Sequence, residues 1–260
     1  MNAVTASGPA PAAPAAPERR VRPGEIWRII RLHTVNPGVF FIVPWVIMAG
    51  AWAISVVLVL IIGAAGAPVE KVTVGMQYSW AVLSPQWYLV VVGVQAIAFT
   101  FQFALGFGAT RRDYWLGTWL MFLFVSIVNA IAIATLVMIE RATDHWWVGA
   151  AMFDALWYVG ADWITAAYTT FALQLFVLTV GAAATTVYMR WRMPGMLVLG
   201  ASAAALVLGA IALLTFTESW GAFAEWFAAV GLNGGFTILV VLALAFGVFG
   251  YSVIRRATPR

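Results

Sequence analysis

The sequence predicts an all-α integral membrane protein of six transmembrane helices, with an N-terminal interfacial amphipathic helix and external re-entrant or interfacial helices. Two observations carry this. First, six stretches hold no Asp, Glu, Lys or Arg, at 38–63, 86–108, 114–139, 164–189, 193–216 and 235–254. Each reaches the roughly 20 residues that a helix needs to cross a bilayer, and helix is the form in which a lone segment satisfies its own backbone there. Second, the charges between the stretches divide by side. Twelve of the fourteen basic residues lie before the first stretch, after the second, after the fourth and at the end; Lys71 and Arg141 lie on the other side. Both termini are therefore expected in the cytoplasm. With 63% hydrophobic and 9% charged residues, the chain reads as one polytopic domain, and its basic balance as topology, not as nucleic-acid binding.

The elements follow in order. Residues 1–22 contain the Ala/Pro run PAPAAPAAP and predict an extended, disordered cytoplasmic tail. Residues 23–36 predict an interfacial amphipathic helix. Pro23 starts it, Glu25 sits in its first turn, Ile26, Ile29 and Ile30 share one side, and Arg28 and Arg31 share another. Asn36-Pro37-Gly38 turns the chain into the six-span domain, residues 37–256.

Between the second and third spans lies Gly108-Ala109-Thr110-Arg111-Arg112-Asp113-Tyr114-Trp115-Leu116-Gly117-Thr118. Thr110 is placed to cap a short helix with Asp113 in its first turn. Two readings are open: a basic topological stop with interfacial aromatics, or a charged aromatic knob that docks into a partner. The long segment from Glu140 to Thr165 carries Trp146, Trp147, Trp157 and Trp163, and predicts an external interfacial helix interrupted near Gly149 and Gly160. In the fifth span, Ala201, Ala205 and Gly209 form a small-residue ridge suited to close helix contact, within one copy or between two.

Chemistry is sparse. With no cysteine, thiolate metal sites and disulfides are excluded. The two histidines, His33 and His145, fall on opposite sides, so a His-rich metal site is not expected. There is no G-x-x-x-x-G-K-[ST], G-x-S-x-G or H-E-x-x-H motif. Gln95 and Gln102 share a face of the second span; Asn129 lies in the third and Gln174 in the fourth. Such amides serve either as interhelical hydrogen bonds or as the lining of a path for an uncharged cargo.

An amphipathic helix before the first span, six spans and a G-x-x-R-R-D-Y-W-L-G-T segment after the second resemble the ABC transporter permease subunits of the ABC-2-type (type V exporter) family. The resemblance implies a bacterial inner-membrane homodimer, or a pair with a related permease, that exports a drug-like, antibiotic or lipid-like substrate. Two copies of a cytoplasmic ATPase subunit would bind the ATP and Mg that this chain has no motif for. It makes Arg111, Arg112, Asp113, Tyr114, Trp115, Arg28 and Arg31 ATPase-coupling residues, and Gln95, Gln102, Asn129 and Gln174 candidates for the path. It also makes Ala201, Ala205 and Gly209 the dimer seam. Residues 217–234 become an external re-entrant pair with Glu218, Phe223, Glu225, Trp226 and Phe227, turned at Asn233-Gly234-Gly235. The other classes the sequence leaves open are a cation-coupled secondary transporter and a non-transporting membrane scaffold or immunity protein.

Overall fold

The computed structural model describes residues 23–256; the predicted tail, 1–22, lies outside them. Among the described residues every regular element is helical: α1 (Pro23–His33), α2 (Val43–Ala64), α3 (Val69–Met76), α4 (Ser84–Ala98), α5 (Thr100–Gly106), α6 (Arg111–Ala142), α7 (Trp163–Phe216) and α8 (Trp220–Ile254). A π-helical turn at Gly38–Ile42 leads directly into α2. Five helical runs are long and apolar enough to cross a membrane: Gly38–Ala64, Val69–Gly106, Arg111–Ala142, Trp163–Phe216 and Trp220–Ile254.

The six predicted stretches thus sit in five runs, because no loop separates the fourth from the fifth. They meet inside α7, whose 54 residues are interrupted only where Arg192 leaves helical geometry (φ 55°, ψ −145°). The chain bends sharply there. A Cβ placed on Gly195 would lie 2.5 Å from the Trp191 Cβ and 3.3 Å from the Val187 Cγ1; in a straight helix residues 187 and 195 would be about 12 Å apart along the axis. Pro194, two residues past the break, cannot donate the backbone bond that would carry the helix through.

α4, α6 and the first half of α7 form the centre. Gly93 and Gly181 bring α4 and α7 into backbone contact: a Cβ on Gly93 would collide with the Leu178 carbonyl, and one on Gly181 with the Val90 carbonyl. This reciprocal glycine contact, rather than the Ala201–Gly209 ridge, is the tight helix seam within the chain. Ala201, Ala205 and Gly209 are exposed, and none of residues 188–242 is buried.

The end of the chain differs from expectation in one detail. The helix after Glu218 (φ 51°) breaks at Gly231 (φ 66°, ψ 177°), not at Asn233-Gly234-Gly235, which are helical. Only glycine takes that geometry without a Cβ clash. The intervening turn-bounded segment presents Phe223, Trp226 and Phe227 as an exposed aromatic cluster, with Phe223 and Trp226 stacked at 6.1 Å.

Candidate functional site

The first turns of α6 meet α1, α4, α5 and α8. Thr110 Oγ1 accepts the Asp113 N–H at 3.1 Å, the capping bond that the sequence predicts. The helix it opens is α6 itself and not a separate short one, so the following residues point into the protein. Tyr114 is fully buried, and Asp113 and Trp115 nearly so. The three residues expected as coupling contacts thus lie inside the chain and not on its surface.

Each fixes a different neighbour. The Tyr114 hydroxyl donates to the Ala96 carbonyl and lies 2.6 Å from the Thr100 Oγ1, which also reaches that carbonyl. Two hydroxyls on the Ala96 carbonyl accompany the break between α4 and α5, as expected where Thr back-bonding bends a helix. Trp115 lies against α8, where a Cβ on Gly250 would come 2.6 Å from its ring. Gly117 receives α1: a Cβ there would be 2.7 Å from the Ile29 Cγ2. His33, at the end of α1, is buried beside Phe40 and Tyr114 and meets the Thr118 hydroxyl at 3.1 Å. Burial lowers its pKa from 6.5 to about 4, so it is neutral at pH 7.

The arginines divide. Arg111 donates through Nη1 to the Ile254 and Arg255 carbonyls, 3.2 and 3.0 Å away, and so caps the end of α8. This is the contact a cation makes best at a helix C-terminus. Arg112 is exposed and lines a groove between α6 and α8. Arg28 is exposed and paired to Glu25 at 3.1 Å, and Arg31 is exposed. A second groove, of about 320 Å³, runs between α1 and α5 and is lined by Arg28, Leu32, Ala104 and Phe107, among others.

The four path candidates lie on four helices and differ in burial. Asn129 is buried and accepts the Trp45 indole N–H at 3.1 Å; this is the interhelical bond that the first of the two readings expects. Gln174 is buried with its amide oxygen unpartnered among the described residues. Gln95 is half-buried, and Gln102 is exposed on α5.

At the opposite end of α6 lies a polar cluster that the sequence reading missed. Glu140 is fully buried, and its carboxylate accepts four N–H bonds. Oε1 takes those of Met152 at 3.1 Å and Asp154 at 2.7 Å; Oε2 takes those of Phe153 at 3.1 Å and the Trp146 indole at 2.6 Å. Arg141 clamps Asp154 Oδ1 through Nε and Nη2, at 2.8 and 2.6 Å, and donates to the Ala161 and Tyr158 carbonyls. His145 Nε2 stands 3.5 Å from Asp154 Oδ2.

The expected interfacial helix over 140–165 is consequently corrected to an irregular, inward-folded segment. Met152–Asp154 must lie across the end of α6 to reach Glu140, and Ala150–Ala155 is buried throughout. Asp144, His145, Trp146 and Trp147 form a left-handed turn, with φ between 49 and 61°. Such geometry costs an L-residue about 1–2 kcal/mol, which the anchored segment offsets. Gly149 and Gly160 have positive φ, at the two points where the sequence places interruptions. Trp146 packs on Trp52 and Phe153, and Trp157 on Phe236. Tyr158, buried, bonds Thr170 at 2.7 Å, and burial raises its pKa. The available signal was Glu140-Arg141 next to a loop containing Asp154, an ion-pair pattern without periodicity. No group of three or more metal-ligating side chains gathers among the described residues.

No protein-family model, curated protein or solved structure matches this chain.

Proposed function

We propose that the chain is the permease subunit of an ATP-driven ABC exporter, moving an apolar or amphipathic substrate with a separate cytoplasmic ATPase. In this reading α7 supplies two crossings joined at Arg192, giving six spans in a bacterial inner membrane with both termini inside. The observation that carries it is the start of α6. About two helical turns hold α1 through Gly117 and His33, the α4–α5 break through Tyr114, and the end of α8 through Arg111. A partner that moved this end would move four elements together, which is what a coupling element must do. The docking surface in this reading extends from the buried Asp113, Tyr114 and Trp115 to the groove of Arg28, Leu32 and Phe107, while Arg31 lines a separate groove with Trp27 and Leu120. The second permease copy would lie over residues 188–242, none of which is buried by the described residues.

The experiment is co-purification with candidate cytoplasmic ATPases encoded beside the permease, followed by ATP hydrolysis in liposomes. Arg28→Glu with Phe107→Ala should leave the permease folded and reduce ATPase association at least tenfold. Substrate flux that persists without ATP and collapses with a protonophore would overturn the reading in favour of a carrier.

A further inference from the structure

The α6–α8 groove has a build that the export reading does not use. It encloses about 520 Å³ and is lined by Arg112, Trp115, Leu116 and Trp119 of α6 and by Leu244, Gly247, Val248 and Tyr251 of α8. Its floor is aromatic. A Cβ on Gly247 would collide with the Trp119 indole, and one on Gly250 with Trp115, so two glycines let both indoles lie against the α8 backbone. From Arg112 to Trp119, and from Tyr251 back to Leu244, each wall runs about 10 Å along its helix.

The groove is also polarised. Arg112 and Tyr251 stand at the helix ends, and the residues that follow inward are apolar. The Arg112 guanidinium has no hydrogen-bond or ion-pair partner among the described residues, and no acidic side chain lines the groove. Arg111 adds a second positive charge at the same end, held on the Ile254 and Arg255 carbonyls. An unpaired guanidinium above an apolar slot at the end of a spanning helix has the chemistry of an anionic lipid site: phosphate at the arginine, acyl chain along the aromatic floor.

We propose that the groove holds an anionic phospholipid, with its phosphate on Arg112 and its chain between Trp119 and Val248. The charge decides the occupant. A neutral apolar segment, such as a helix of a second copy, would leave the guanidinium facing it unpaired, whereas a phosphodiester satisfies it. The site does not depend on the export reading and exists in the permease alone.

The test uses the purified full-length permease in mild detergent, without any ATPase. Native mass spectrometry measures the bound fraction of phosphatidylglycerol against phosphatidylcholine of identical chains, with glycerol 3-phosphate as the free-headgroup control. The wild type should prefer phosphatidylglycerol about fivefold, the effect of roughly one arginine at a membrane surface. Arg112→Gln should reduce the ratio to about one, while Lys71→Gln, exposed on α3 and away from the groove, should leave it unchanged. Val248→Trp, which adds bulk at a well-exposed position of the slot, should reduce retention of both lipids, and it decides the matter if the Arg112 variant does not fold. A preference that survives Arg112→Gln overturns the proposal. So does glycerol 3-phosphate bound as well as the lipid, which would make this a free-phosphate site. Val248→Trp converting a dimer to a monomer with lipid retention unchanged would assign the groove to a second copy and overturn it equally.

Discussion

Glu140→Gln isolates the role of the buried carboxylate, because shape is kept and only charge and one acceptor change. The carboxylate accepts four N–H bonds, two on each oxygen. A glutamine retains one oxygen. Its amide nitrogen, a donor, must face either the Phe153 N–H and the Trp146 indole or the Met152 and Asp154 N–H groups. Two buried donors are then left without an acceptor, at about 1–3 kcal/mol each, for a total of about 4 kcal/mol. The loss is local to the inward-folded segment. Hydrogen exchange by mass spectrometry in detergent or nanodiscs should show faster exchange across residues 144–158, and the α4–α7 glycine seam should be unaffected. Glu140→Ala should be at least as disruptive. Exchange across 144–158 equal to that of the wild type would refute the account, since it would mean that the segment keeps its place without its acceptor.

Three further outcomes are expected. The folded state keeps His33 neutral down to about pH 4, whereas the unfolded chain protonates it near 6.5; the unfolded state therefore binds more protons as pH falls through this window, and the docking of α1 should weaken by about 3 kcal/mol between pH 6.5 and 4. Hydrogen exchange of the α1 amides, referenced at each pH to an unstructured peptide, should accelerate over that range in the wild type and stay flat in a His33→Gln variant that remains folded. Trp147 is 80% exposed with φ 61°, so Trp147→Gly should relieve left-handed strain and stabilise the segment by about 1 kcal/mol in thermal unfolding; a lower melting temperature would contradict the strain argument. Single cysteines at Ala67 and Gly221 should label from outside with an impermeant thiol reagent while one at Ala257 should not, and external labelling at Ala257 would invert the topology.

The helical class and the apolar stretches were legible in the sequence because both follow from local composition. A run without charge reports its own need for a bilayer, and Thr110 reports a cap through the spacing to Asp113. What was not legible depends on partners far along the chain. Tyr114 in a basic-aromatic segment reads as a surface anchor until the Ala96 carbonyl, 18 residues earlier, is found against its hydroxyl. Arg111 reads as a topological charge until α8 ends beneath it. The Trp residues of 140–165 resemble an interfacial belt because aromatic spacing is seen and the Glu140 carboxylate that folds the segment inward is not. The join at Arg192 escaped for the opposite reason: two charges among apolar stretches predict a loop, and the structure turns the corner with one non-helical residue.

The Glu140 clasp also has a consequence for where and how this protein matures. Membrane proteins that hold an irregular external segment in place often do so with a covalent cross-link, which ties their assembly to an oxidising compartment and to the enzymes that supply it. This chain has no cysteine. Its segment 144–158 is closed by one carboxylate, one guanidinium and the backbone groups that they gather. That closure needs no electron acceptor, forms as quickly as the segment folds, and cannot be mispaired. This end of the bundle should therefore take shape unchanged in the presence of a strong reductant, and single reporter cysteines can be introduced without a native thiol to compete with them.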